Sequence, residues 1–118
     1  KYPWIYEKEL PDLYQIAEKE GLTIIQAHPF RSVCFPADPE CLHGIEIFNG
    51  NPRHASHNDL ARALAEQAGL PGTAGSDFHQ VQDLDSCCVG FEKLPGDGQE
   101  LAEVIRQGRF TREIFRGI

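Results

Sequence analysis

The chain has 118 residues, of which 41% are hydrophobic and 25% are charged, and these ordinary globular values argue against a disordered protein. The length corresponds to one domain over residues 1–118 and falls far below the roughly 250 residues of a complete eight-unit α/β barrel. The formal net charge of −7 disfavours general coating of nucleic acid, because that function needs a basic surface.

The first elements in chain order are a helix and a strand. Pro11 suits the first turn of a helix with apolar residues at helical spacing, and Gly21 is expected to end it. Segment 22–27 is short, apolar and β-branched, which predicts a buried strand. The His28-Pro29 pair ends this strand, because proline lacks a backbone donor.

The middle of the chain predicts a loop, a second strand and a second helix. Two prolines and two cysteines within 31–43 are typical of a long loop, and a strand is predicted at 44–48. Ser56 followed by Asp59 resembles a capping box at the start of a helix, which Gly69 is expected to end.

The last third predicts a short strand at 71–75, a strand at 87–91, a helix at 98–107 and a final strand at 110–115. Helices thus alternate with strands, which predicts an α/β fold with parallel strands and crossover helices. A faint repeat supports this order, because segment 17–22 resembles segment 65–70 as a helix end, a glycine and a strand start.

The cysteines and the lack of long apolar stretches indicate a compartment. Cys34, Cys41, Cys87 and Cys88 lack zinc-finger spacing, and we expect free thiols in a reducing cytoplasm. A Cys34–Cys41 disulfide is the less favoured alternative.

We expect neither a membrane span, which needs about 20 apolar residues, nor a secretory signal. The sequence starts at Lys1 and has no methionine, so we expect it to be part of a longer protein.

Asp77 and His79 form the sharpest candidate site. They directly follow the predicted strand at 71–75, and alternate residues of extended backbone share one face. A carboxylate and an imidazole on one face can chelate a divalent ion. The alternative is that Asp77 caps a turn and His79 is a surface residue.

His28 lies at the equivalent strand end. With Asp77 and His79 it makes a His-Asp-His set suited to Zn²⁺, Mn²⁺ or Fe²⁺, although a histidine bonded to a nearby carbonyl is the alternative. Arg31 is either a bidentate partner of a substrate phosphate or an exposed surface arginine.

Four further residues near these motifs have open roles. Glu46 points away from its neighbours Ile45 and Ile47, toward either the interior or the outside of a barrel. Asn49 either orients a ligand or caps a turn. The remaining two, near the predicted helix start, are interpreted mainly as surface residues: His54 and His57. The alternative is that the segment Asn51-Pro52-Arg53-His54 lines the mouth of the site.

Three motifs together resemble the C-terminal part of a PHP domain, the polymerase and histidinol phosphatase family. They are Ala27-His28-Pro29, the strand from Gly44 to Asn49, and Gly75-Ser76-Asp77-Phe78-His79, and the resemblance covers roughly residues 9–110. It implies the C-terminal portion of a distorted seven-stranded α/β barrel with two or three divalent metal ions. It also implies metal-dependent phosphoester hydrolysis, with His28, Asp77 and His79 as metal ligands.

The chain departs from the family pattern in one respect. No His-x-His motif occurs in the sequence, so the metal cluster of the family needs ligands from outside this chain. We therefore expect a phosphoesterase in the parent protein, with Asp77, His79 and Arg31 in catalysis, and an inactive fragment. The expected substrate is a small phosphate ester or a nucleotide. The alternatives are a metal-binding remnant and a non-catalytic module attached to a DNA polymerase. Open strand edges also predict self-association.

Overall fold

The computed structural model describes residues 7–116. The helices are α1 (Leu10–Glu20), α2 (Asn58–Ala68) and α3 (Gly98–Arg106). The strands are β1 (Ile25–Gln26), β2 (Gly44–Asn49), β3 (Gly72–Gly75), β4 (Cys87–Gly90) and β5 (Thr111–Ile114). Short 3₁₀ turns occur at Pro39–Cys41 and Val81–Asp83.

A three-stranded parallel sheet organises the first two thirds of the chain. Its order is β1-β2-β3, and the register between β2 and β3 shifts between Glu46 and Phe48. α2 connects β2 to β3 as a helical crossover, which confirms an α/β fold with parallel strands. β1 instead reaches β2 through residues 27–43, which contain only one 3₁₀ turn. Membership of a seven-stranded barrel stays a prediction.

The last two strands differ from the predicted parallel arrangement. β4 and β5 form a separate antiparallel pair, with Gly90 opposite Thr111. Because β5 begins beside the residue where β4 ends, α3 and its flanking turns serve as a long hairpin connection. A parallel pair would need α3 to return the chain to the other end of β4.

Glycines end the first two helices as predicted. Gly21 and Gly69 adopt left-handed backbone conformations, with φ of 71° and 69°. Beyond them, the Leu22 amide donates to the Ala17 carbonyl at 2.9 Å and the Leu70 amide donates to the Ala65 carbonyl at 3.0 Å. The sequence repeat is therefore a repeated helix-ending motif of the Schellman type.

The core lies between α2 and the parallel sheet. Small residues on the helix, Ala61 and Ala65, pack against Ile45 and Ile47 of β2. The small side chains allow close approach of the helix, and Ile45 has no exposed surface. The alternation predicted for this strand is confirmed, since Glu46 lies on the face opposite the two isoleucines.

The predicted buried strand at 22–27 is shorter and more open than expected. Only Ile25 and Gln26 pair with β2, and Ile25 is 38% exposed. β1 is the outer strand of its sheet, so among residues 7–116 no further strand covers its free edge. Ile25 borders an open cavity of about 850 Å³, lined mainly by apolar residues that include Val89, Phe91, Leu101 and Ile105.

The predicted capping box of the second helix is wrong. α2 begins at Asn58, and its N-cap is His57, whose side chain makes no capping hydrogen bond. The hydroxyl of Ser56 instead accepts a hydrogen bond from Arg31 at 3.0 Å, so it is engaged outside the helix.

Across residues 7–116, none of the helices combines the length and the apolar character that a bilayer span requires.

Candidate functional site

The carboxyl ends of the three parallel strands lie at one edge of the sheet. Immediately beyond them come His28 after β1, Asn51 after β2 and Asp77 after β3. Both His28 and Asp77 have positive φ, at 28° and 51°, which is uncommon outside glycine. The chain thus turns sharply at two of these ends and leaves polar side chains at the edge.

Asp77 and Arg31 form an ion pair in this cluster. The Arg31 Nη2 and Asp77 Oδ2 atoms are 3.0 Å apart, and the side chains are only 13% and 18% exposed. Asn49 Nδ2 donates to the same oxygen at 3.3 Å. Burial raises the pKa of Asp77, but the hydrogen bonds from Arg31 and Asn49 outweigh burial and hold the pKa below its ordinary value. Asp77 is therefore a stable anion.

Glu46 belongs to the same cluster. Its Oε1 accepts from the His28 amide at 3.0 Å and from Asn49 Nδ2 at 2.9 Å. Asn49 Nδ2 thus bridges the carboxylates of Glu46 and Asp77. A Cβ at Gly75 would lie 3.0 Å from Glu46 Oε2, so this glycine makes room for the carboxylate.

His79 lies at the outer rim of the cluster. Its ring is 68% exposed, and Nδ1 is 2.9 Å from the Asp77 carbonyl oxygen and 3.5 Å from Asp77 Oδ1. A neutral ring that donates from Nδ1 to the carbonyl leaves Nε2 free as an acceptor or metal ligand. Histidines that bind metal commonly donate their other ring N–H to a carbonyl or carboxylate in this way.

His28 is presented by the turn after β1. Its Nδ1 is 3.7 Å from Cys34 Sγ, and its side chain is half-buried.

All four cysteines are free thiols, so the disulfide alternative does not form. Burial raises the pKa of the Cys87 thiol, which behaves as a small core residue.

The predicted His28-Asp77-His79 metal set stays a prediction. All three residues follow strand ends on one edge of the sheet, and their donor types suit a divalent ion. Within residues 7–116, however, no group of three or more His, Cys, Asp or Glu side chains converges closely enough to hold a metal ion. A metal ion at this edge of the sheet would therefore need ligands beyond those that the described residues bring together.

The sequence did not predict the contacts that three residues make beside the site: Asn51, Arg53 and Asp83. Asn51 Nδ2 donates to the Asp77 carbonyl oxygen at 3.2 Å, and Asn51 Oδ1 accepts from the Arg53 amide at 2.9 Å. The Arg53 guanidinium in turn binds both oxygens of Asp83 at 2.7 Å. The Asn49-Gly50-Asn51 spacing was a usable signal, because asparagine side chains often bond the backbone two residues away. No local pattern links Arg53 with Asp83, 30 residues apart.

The other histidines lie outside the cluster. His54 and His57 are exposed, as interpreted, and His57 adopts φ of 51° at the start of α2. Buried His43 instead connects the segments just before β1 and β2 to α1, because Nδ1 accepts from the Ile24 amide at 3.0 Å and Nε2 lies 3.2 Å from Glu18 Oε1.

One comparison with known proteins found a similarity over part of the chain. A family profile described as PHP-associated matches residues 55–110, which include α2, β3, the segment carrying Asp77 and His79, and α3. Comparisons with curated proteins and with solved structures found no match. Residues 55–110 are therefore similar to a PHP-associated region, and this similarity is consistent with the C-terminal portion of a PHP domain.

Proposed function

We propose that this chain is the C-terminal portion of a metal-dependent phosphoric-ester hydrolase of the PHP family. The observation that carries the proposal is the strand-edge cluster, in which the Asp77 carboxylate, the Arg31 guanidinium and the His79 imidazole stand together. Asp77 and His79 also lie within the segment matched by the PHP-associated profile. This combination of an anion, a cation and a histidine suits the binding and hydrolysis of a phosphate ester.

In this proposal, His28, Asp77 and His79 hold divalent metal with further ligands from outside residues 7–116. The ions are Zn²⁺, Mn²⁺ or Fe²⁺, two or three in the complete protein. When bound, such an ion supplies Lewis acidity toward a phosphoryl oxygen and a water of lowered pKa. Asp77 suits this role because its carboxylate stays ionised.

Arg31 is proposed to contact the substrate phosphate. Its side chain is held by Asp77 and by the Ser56 hydroxyl, each at 3.0 Å, so the guanidinium is oriented before substrate arrives. Its buried Nε has no hydrogen-bond partner within the described part of the chain. A guanidinium fixed in this way can stabilise charge that develops on a phosphoryl group without further reorganisation.

The substrate is proposed to be a small phosphate ester or a nucleotide. The net charge of −7 disfavours long nucleic-acid polymers, because their phosphates attract basic surfaces. The four free thiols fit a reducing compartment, and we place the protein in the cytoplasm.

A second candidate is a non-catalytic module, for example one attached to a DNA polymerase. The ion pair between Arg31 and Asp77 favours this alternative, because a guanidinium on the candidate ligand competes with a metal cation. The sequence that precedes Lys1 in its reading frame separates the two candidates. A His-x-His motif there supports the hydrolase, whereas polymerase motifs support the accessory role.

Zn²⁺ binding by the chain tests the site directly. We expect isothermal titration with Zn²⁺ to show weak binding that Asp77→Ala and His79→Ala each reduce at least tenfold, because even residues that only orient metal ligands contribute about 10–100-fold. His54→Ala is the matched control, since His54 is an exposed histidine outside the cluster. Equal Zn²⁺ affinity of the wild type and the three variants would show that Asp77 and His79 do not belong to the proposed metal site.

Hydrolysis of p-nitrophenyl phosphate tests the activity. The assay needs the protein with its preceding sequence, and Asp77→Ala is expected to reduce turnover at least a hundredfold. Full activity of that variant would contradict the hydrolase mechanism, whereas activity that His54→Ala retains and Asp77→Ala loses supports it.

A further inference from the structure

Asp83 is the most completely buried charged residue of the described chain. It has no exposed surface, yet its carboxylate is fully engaged. Arg53 donates from Nη1 to Oδ1 and from Nη2 to Oδ2, both at 2.7 Å, as a parallel pair of charge-assisted bonds. The amides of His79 and Gln80 donate to Oδ2 at 2.8 and 2.9 Å.

These bonds stabilise the segment from Asp77 to Asp83 internally and connect it to the loop after β2. Asp83 binds the backbone of His79, four residues earlier, and so closes a compact turn. Arg53 lies in the loop after β2, where its amide donates to Asn51 Oδ1, and its guanidinium joins this loop to the turn through Asp83. Asn51 Nδ2 then donates to the Asp77 carbonyl oxygen, which also lies 2.9 Å from His79 Nδ1.

The His79 ring itself has few contacts that could hold it. It is 68% exposed, so its direction depends on its backbone and on the contacts of Nδ1 with the Asp77 carbonyl oxygen at 2.9 Å and with Asp77 Oδ1 at 3.5 Å. Asp77 also has φ of 51°, a conformation that a non-glycine residue keeps only when its surroundings hold it. The bonds from the His79 and Gln80 amides to Asp83, which Arg53 holds in turn, restrain the backbone that follows Asp77.

We infer that Arg53 and Asp83 are positioning residues that set the orientation of Asp77 and His79 for ligand binding. The inference rests on the proposed metal site, and it adds two residues that act through the backbone and not as ligands. Residues outside the inner ligand sphere that orient ligands typically affect metal affinity by about 10–100-fold.

Arg53→Met, Arg53→Lys and Asp83→Asn test this role in the intact chain. The matched control is Arg106→Met, which removes another arginine–carboxylate pair, the 3.2 Å contact with Glu18, far from this turn. In Zn²⁺ titration, we expect Arg53→Met and Asp83→Asn to weaken binding about tenfold. Arg53→Lys should fall between them and the wild type, because lysine keeps the charge but not the paired bonds.

If Arg53 only stabilised the fold, Arg53→Met would weaken Zn²⁺ binding only to the extent that it lowers the melting temperature. Arg106→Met shows how much a loss of melting temperature by itself weakens Zn²⁺ binding. If Arg53→Met and Arg106→Met lower the melting temperature alike but only Arg53→Met weakens Zn²⁺ binding, positioning is supported. Equal Zn²⁺ affinity in the wild type and Arg53→Met would overturn it.

A second readout separates this inference from the proposed function. Absence of Zn²⁺ binding by the wild-type chain would count against the metal site, and amide hydrogen exchange then decides the positioning role. We expect the His79 and Gln80 amides to lose protection in Arg53→Met and to keep it in Arg106→Met. Unchanged protection of both amides in Arg53→Met would refute the inference.

Discussion

Ile47 fills the space that a side chain at position 72 would need. A Cβ built on Gly72 would lie 2.6, 2.8 and 2.9 Å from three side-chain carbons of Ile47, distances that van der Waals contact does not allow. Gly98 differs, because a Cβ there would meet nothing within 4 Å at the first residue of α3. An added methyl group would therefore clash at Gly72 and fit without contact at Gly98.

Gly72→Ala is expected to destabilise the protein by about 1–3 kcal/mol, because added volume in a packed core forces its neighbours to move. Gly98→Ala is expected to stabilise it by about 0.4–1 kcal/mol, because alanine restricts the unfolded chain and suits a helix. Urea denaturation of both variants measures these free energies of unfolding. Equal effects of the two substitutions would contradict the packing argument.

At the scale of elements, α1 is attached to the parallel sheet through a polar junction of Tyr14, Glu18 and His43. The Tyr14 and His43 rings stack with their centroids 4.8 Å apart. Hydrogen bonds from Tyr14 and His43 lower the pKa of Glu18, and the same carboxylate raises the pKa of Tyr14. Glu18 also pairs with Arg106 of α3 at 3.2 Å, so one side chain of α1 connects it to two other elements.

The lowered pKa of Glu18 predicts a dependence of stability on pH. Because the folded state favours the ionised form, its contribution is present above the ordinary pKa of 4.5 and is lost as pH falls through the lower folded value. The urea midpoint should therefore fall more steeply below about pH 4.5 in the wild type than in Glu18→Gln. Glu66→Gln, at an exposed position of α2, is the control and should follow the wild type. Parallel curves for the wild type and Glu18→Gln would show that the junction contributes nothing.

On the scale of the whole molecule, one side of the parallel sheet is left open. β1 has two residues, one free edge and a 38% exposed Ile25, and it borders the apolar cavity of about 850 Å³. Unpaired strand edges present backbone donors and acceptors in a row, and they pair readily with other chains. We therefore propose that copies of this chain associate through β1.

Sedimentation velocity at increasing concentration tests the association. We expect the wild type to form dimers or larger species, and Ile25→Lys to shift the distribution toward monomer, because a charged side chain on an edge strand opposes pairing. Val33→Lys is the control, since Val33 is exposed but lies outside the strands. A wild-type monomer at every concentration would rule out the association.

Elements that depend on local contacts were predictable from the sequence. The helix ends at Gly21 and Gly69 follow from backbone bonds within five residues and from the left-handed conformation that glycine favours. The strands at 44–49 and 72–75 follow from apolar, β-branched or small residues between turn signals. The motif that ends at His79 marked the site because polar residues after a buried strand lie at the sheet edge.

The tertiary structure decided which distant groups meet. Arg31 takes the Ser56 hydroxyl away from the capping position, Asn49 joins Glu46 to Asp77, and Arg53 crosses 30 residues to Asp83. The antiparallel pairing of β4 with β5 and the open edge of β1 likewise depend on where whole elements pack. By itself, the sequence determined the helices, most strands and the candidate ligands, since these depend on neighbours along the chain. Only the fold determined the partners of each charge, because those contacts join segments that no local pattern relates.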